Sequence, residues 1–209
     1  MLVGLGKDTF EVSTHALVIA SPVAGQHHAH GLVAPSLAEV SSLTGDRPVF
    51  VQVTTAKMAR AAAKAGAAAL LVGSCDSPDL LLALAEIEPL IVIQPGTAPS
   101  GADPVRFLTE RVAWAVAAGI TQSRIVVEAP VAQVAELASL DHLVMIGTSQ
   151  AVGVQGTHVQ ALLDGARFIR TAATSPDHVR ATRRTAFTIG ELLVRRGVTS
   201  PTSVYAGVG

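Results

Sequence analysis

Short apolar runs, small-residue turns and amphipathic stretches alternate along most of the chain. The runs cover residues 15–20, 49–54, 68–73, 90–93, 124–128, 142–147 and 167–171, with a weaker one at 1–5. Each has strand length and is rich in Val, Ile and Leu without alternation, which predicts strands buried on both faces. Parallel strands joined by helical crossovers meet that requirement, so the pattern reads as an α/β fold.

The stretches between the runs carry helix punctuation. Residues 35–42 follow a proline start and stop before Thr44-Gly45. Residues 56–65 are alanine-rich and end at Gly66, where glycine most readily takes the left-handed conformation. Ser77-Pro78-Asp79 and Asp103-Pro104 each place a capping side chain before a proline at the first helical position, and Ser175-Pro176-Asp177 repeats the device. The helices so predicted cover 80–87, 104–118, 131–140, 158–163 and 176–196. Residues 1–196 are expected to form one domain, and the Gly/Pro/Ser/Thr-rich 197–209 a mobile tail.

Between Leu5 and His15 there is too little chain for a crossover helix, which needs a dozen or more residues. Either the first βα unit is drastically reduced, or residues 1–13 form a small hairpin. Eight-stranded (β/α) barrels run to about 250 residues, with about 200 near the lower limit. The expectation is therefore a shortened (β/α)8 TIM-type barrel with seven parallel strands, imperfectly closed near its beginning.

Composition narrows the function. The 209 residues are 49% hydrophobic and 15% charged, with a formal net charge of −1 and 3% aromatics. There is no basic cluster and no stacking platform for nucleic acid. No apolar run has the length of a membrane span, so a cytoplasmic protein is expected. The single cysteine, Cys75, excludes an internal disulfide.

Parallel α/β folds place chemistry at the carboxyl ends of their strands. Glu128 and Arg170 end two runs and would share one mouth, as a ligand site or paired with each other. Gln52 and Gln94 end two more and offer both donors and acceptors, which favours an uncharged polar ligand. Gly147-Thr148-Ser149 is either a small anion-binding turn or only a tight turn. Gln26-His27-His28-Ala29-His30 follows the 15–20 run, so it is expected on the mouth face. Three imidazoles in four residues suit a divalent transition metal, although solvated loop histidines would look the same. Cys75 is either a packing residue or a nucleophile in need of a base.

From Arg47 to about Arg196 the chain resembles the dihydropteroate synthase family, the pterin-binding (β/α)8 barrels of folate biosynthesis. Val49-Phe-Val-Gln-Val-Thr-Thr-Ala-Lys-Met-Ala-Arg-Ala-Ala-Ala-Lys-Ala-Gly-Ala67 is similar to the family's I-S-V-D-T-Y-K-A-E-V-A-R-A-A-L-E-A-G-A. Residues 107–128 resemble its fifth helix and sixth strand, and Gly165-Ala-Arg-Phe-Ile-Arg170 its last strand. The reactive positions depart from the pattern. The family's third-strand Asp falls on Gln52, and its fourth-strand Asn-Asp pair on Leu71 and Val72. Its D-P-G becomes Glu128-Ala129-Pro130, its S-R-K becomes Ser149-Gln150-Ala151 without the lysine, and its R-x-H-D keeps only Arg170.

The resemblance implies a non-catalytic interaction or ligand-binding subunit, a folate-related pseudoenzyme that needs no cofactor. Its partner would be another protein or further copies of itself, and its ligand small and polar or pterin-like. The alternative is an enzyme with a rebuilt mouth, a diverged pterin-related transferase. There Glu128 would be the acid/base, Arg170 the anion anchor, and His27, His28 and His30 would hold a metal.

Overall fold

A computed structural model of the protein describes residues 2–5, 8–11, 16–20, 30–34, 49–73, 75–96, 101–148 and 154–172, with helical positions at Arg184, Thr188, Ile189 and Leu192. Among the described residues there are ten strands: β1 (Leu2–Leu5), β2 (Asp8–Glu11), β3 (Ala16–Ala20), β4 (His30–Ala34), β5 (Val49–Val53), β6 (Ala69–Val72), β7 (Leu90–Ile93), β8 (Ile125–Ala129), β9 (Leu143–Thr148) and β10 (Phe168–Ala172). Helices α1 (Ala56–Lys64), α2 (Pro78–Ala85), α3 (Pro104–Ala117), α4 (Val134–Ser139) and α5 (Val154–Leu163) lie between strands from β5 onward.

The main sheet is a closed barrel in the order β10-β3-β4-β5-β6-β7-β8-β9. The α/β class and the shortened TIM-type barrel expected from the pattern are what the chain forms. At the beginning, β1 and β2 form a separate antiparallel hairpin, with Leu2 opposite Glu11 and Leu5 opposite Asp8. That is the hairpin alternative for residues 1–13.

Two expectations need correction. Closure is complete, and one barrel strand runs against the others. Strand β3 is antiparallel to both β10 and β4, while β4 to β10 are all parallel. The seventh parallel strand is thus β4, and not the 15–20 run. His30-Gly-Leu-Val-Ala34 has a single strong β-former, Val33, so its pattern is too weak to announce a strand. The helices expected over 35–42 and, apart from single positions, 176–196, lie outside the described residues, as does the 197–209 tail.

Local chemistry explains the helix starts. The side chains of Thr55, Ser77 and Asp103 accept hydrogen bonds from the backbone N–H groups of Met58, Leu80 and Val105. Pro78 and Pro104 occupy first-turn positions, where a missing N–H costs nothing. Gly66, at φ 90°, stops α1 in the left-handed conformation.

Alternation along each strand divides the core in two. One set faces outward against the helices, including Val51, Leu70, Val72, Ile91, Ile93, Val127, Val144, Ile146 and Ile169. These pack on Leu80 and Leu84 of α2 and on Val105, Leu108 and Val112 of α3. The other set fills the barrel: Phe50, Leu71, Val92, Val126, Met145 and Phe168, with Ala69 and Leu90. Fully burying each large side chain contributes roughly 1.5–3 kcal/mol, so this plug and its outer shell hold the barrel shut. Among the described residues, no helix is long and apolar enough to cross a membrane.

Candidate functional site

The period of two along a strand determines what lines the mouth. Two residues beyond Phe50, Leu71, Val92, Val126, Met145 and Phe168 come Gln52, Gly73, Gln94, Glu128, Gly147 and Arg170. A polar layer therefore lies directly above the apolar plug, at the carboxyl ends of β5 to β10. The structure brings four of the expected site residues into this layer: Gln52, Gln94, Glu128 and Arg170.

Glu128 is its centre. Only 5% exposed, it is one of the few charged residues buried in the described chain. Arg170 Nε donates to Glu128 Oε1 at 3.1 Å and to Oε2 at 3.2 Å, and Arg170 Nη2 also donates to Oε1. Gln94 Nε2 donates to Oε2 at 2.9 Å. Both carboxylate oxygens thus have partners within the chain, as a buried charge requires. The Arg170 side chain remains 30% exposed, and Gln52 is open to solvent.

Gly147 makes this cluster possible. A Cβ there would lie 2.1 Å from Glu128 Oε1 and 2.9 Å from Arg170 Nη2, so any side chain would displace the ion pair. What read as a small-residue turn is space reserved for a buried carboxylate.

A second arginine, Arg111, escaped the sequence reading. It projects from α3 and is only 3% exposed. Arg111 Nη1 donates to the carbonyl oxygens of Gly73 at 3.1 Å and Gln94 at 3.3 Å, bridging the ends of β6 and β7. Its Nη2 lies 3.8 Å from Asp76 Oδ1, and its guanidinium stacks on the Phe107 ring at 4.3 Å. Gly96, at φ 57°, lets the chain pass under it, since a Cβ there would lie 2.4 Å from Gly73 O. The available signal was positional. Val105, Leu108, Val112 and Ala115 define a buried stripe of α3, and Arg111 lies on its edge three residues after Leu108.

The remaining candidates separate from this cluster. Leu71 and Val72 are buried in the apolar layers, Leu71 inside the barrel and Val72 against the helices. Thr148 ends β9, and Ser149 lies outside the described residues. His30 opens β4 next to Ile19, and Ala20 pairs with Phe168, the first residue of β10. His30 therefore stands at the rim opposite Glu128, and not on the mouth face where it was expected. The cause is the reversed direction of β3, whose carboxyl end points away from the mouth. His27 and His28 lie outside the described residues, and no group of three or more His, Cys, Asp or Glu side chains clusters among those described. Cys75 is buried, and burial pushes its thiol up to about 11 despite the neighbouring Arg111, which makes it a packing residue at neutral pH.

The fold and this mouth define a shortened TIM-type barrel with a polar layer over an apolar plug. Dihydropteroate synthases are among the solved structures that this chain resembles. The Yersinia pestis enzyme with a pterine–sulfa conjugate matches with a TM-score of 0.65 at 18% identity, over 76% of this chain and 74% of that one. The Xanthomonas albilineans enzyme in complex with 7,8-dihydropteroate matches at 0.62 and 21%, over 76% and 74%. The Coxiella burnetii enzyme with pteroic acid matches at 0.64 and 16%, over 78% and 74%. No protein-family profile and no curated protein sequence matches the chain. The resemblance read from the sequence is thus supported at the level of fold.

Proposed function

We propose that the chain is a dihydropteroate-synthase-like barrel that works as a non-catalytic ligand-binding and interaction subunit. The observation that carries this reading is the state of Glu128, whose two oxygens are already engaged by Arg170 and Gln94. A pterin ring presents amino and N–H donors, and a buried donor without an acceptor costs roughly 1–3 kcal/mol. On β6, where the family resemblance implies acceptors, Leu71 and Val72 are buried and apolar. Expelling pyrophosphate also requires cations at the leaving group. Arg170 is tied to Glu128, and the family's lysine has no counterpart after β9. What the mouth offers a small polar molecule is the exposed amide of Gln52 and the partly exposed guanidinium of Arg170, on different strands of the same layer.

The test is turnover of dihydropterin pyrophosphate with p-aminobenzoate, run beside native mass spectrometry of protein purified from its own cells. The expected result is no dihydropteroate and a fixed-stoichiometry complex or a bound small molecule. Turnover that disappears in Glu128→Gln would overturn the reading and establish the alternative, with Glu128 as acid/base and Arg170 as anion anchor.

A further inference from the structure

The polar layer of the mouth is filled on one side and open on the other. The paired side chains of Glu128 and Arg170 fill the side above β8 to β10. Above β5 to β7 come Gln52, Gly73 and Gln94, and β6 lies between the two strands that carry the amides. Neighbouring strands are about 4.8 Å apart, so β5 and β7 are separated by roughly 10 Å. On β6 only a glycine stands in that gap. Among the described residues, a Cβ on Gly73 would meet nothing nearer than Gln94 Oε1, at 4.0 Å. The floor there is open.

Glu128 dictates how Gln94 faces this floor. A carboxylate only accepts, so the amide nitrogen of Gln94 turns to it and donates at 2.9 Å. The amide oxygen then points the other way, toward β6, and accepts no hydrogen bond among the described residues. Gln52, exposed on β5, likewise has no side-chain partner among them. Glu128 and Arg170 balance each other's charge, so the open side is a neutral site made of amide dipoles. One edge presents an acceptor whose direction is fixed. The other presents an amide that can supply a donor.

We propose that the gap over Gly73 takes an uncharged, planar carboxamide, whose N–H donates to Gln94 Oε1 and whose carbonyl oxygen accepts from Gln52 Nε2. The proposal rests on the ligand-binding reading of the mouth and makes Gln52, Gly73 and Gln94 its specificity-determining residues. A carboxylate of the same shape has no donor for Gln94 Oε1 and sets a second acceptor against it. The probes are therefore nicotinamide and nicotinate, titrated into the full chain while NMR follows the side-chain amide resonances of Gln52 and Gln94. Nicotinamide should shift both saturably, and nicotinate should bind at least roughly fivefold more weakly. Gly73 has no positive φ and a Cβ there meets no clash, so Gly73→Ala should keep Tm within about 2 °C of wild type while filling the floor. It should weaken nicotinamide roughly tenfold, and Gln52→Leu, at an exposed position, roughly fivefold. Nicotinate binding as tightly as nicotinamide would overturn the proposal in favour of an anion site at Arg170. No shift with either probe, or nicotinamide binding unchanged in Gly73→Ala, would also overturn it. A different small molecule retained in native mass spectrometry would in those cases keep the ligand-binding reading. Turnover in the synthase assay would remove the non-catalytic reading without touching these outcomes.

Discussion

Gly147→Ala isolates the mouth cluster with a single methyl group. Gly147 does not have a positive φ, so its backbone accepts alanine and the effect is steric alone. The new Cβ would lie 2.1 Å from Glu128 Oε1 and 2.9 Å from Arg170 Nη2. Glu128 must swing away, losing Arg170 and the 2.9 Å bond from Gln94. Breaking a buried ion pair by displacing one partner costs about 3–5 kcal/mol, and the partial exposure of Arg170 puts this case at the lower end, about 3 kcal/mol. For a chain of this size that is a fall in Tm of roughly 6–12 °C. The assay is urea unfolding of wild type, Gly147→Ala, Glu128→Ala and the double variant. In the Glu128→Ala background the extra methyl meets no carboxylate, so most of its cost should vanish, leaving a coupling energy of about 2 kcal/mol. A cost below about 0.5 kcal/mol, or the same cost in both backgrounds, would refute the view that Gly147 exists to seat the ion pair.

Three further outcomes follow from the same geometry. Arg111→Met should destabilise the chain by about 3 kcal/mol in urea unfolding, because the carbonyls of Gly73 and Gln94 lose a buried charged donor. The Cys75 thiol, raised to about 11 by burial, should ignore a thiol reagent at pH 8 in the native protein and react stoichiometrically once unfolded. His142 is held below its usual 6.5 mainly by desolvation, and its buried Nε2 has no hydrogen-bond partner. The unfolded chain then binds the proton more readily, so this contribution is present above pH 6.5 and lost as pH falls through the lowered folded value. His142→Gln should flatten the dependence of stability on pH in that acid window.

Much of this architecture was legible because burial dictates residue choice. Strands β5 to β8 are buried on both faces apart from Gln52, and their Val/Ile/Leu runs announce it. The capped starts at Ser77-Pro78 and Asp103-Pro104 were readable for the same local reason. The direction of β3 was not, since an apolar run such as Ala-Leu-Val-Ile-Ala reads the same whichever way the strand points. That one ambiguity moved His30 to the wrong rim. At the mouth, strand-end position found Gln52, Gln94, Glu128 and Arg170 but not their mutual arrangement. Arg111 was hidden because the groups it donates to, the carbonyls of Gly73 and Gln94, leave no mark in a sequence.

The seam between β3 and β10 bears on how the protein is made. It joins residues 16–20 to residues 168–172, so the first and last barrel strands are hydrogen-bonded neighbours. On the ribosome, β4 to β9 can pair successively as each emerges, whereas β3 keeps one edge open until β10 has been synthesised. An unpaired edge is a template for association with other chains. Translation pausing before residue 172, or loss of the chain beyond β9, would therefore release a curled open sheet with a sticky margin at each end. The short β3–β4 connection limits that hazard by covering one side of β3 early, leaving a single late event to finish the barrel.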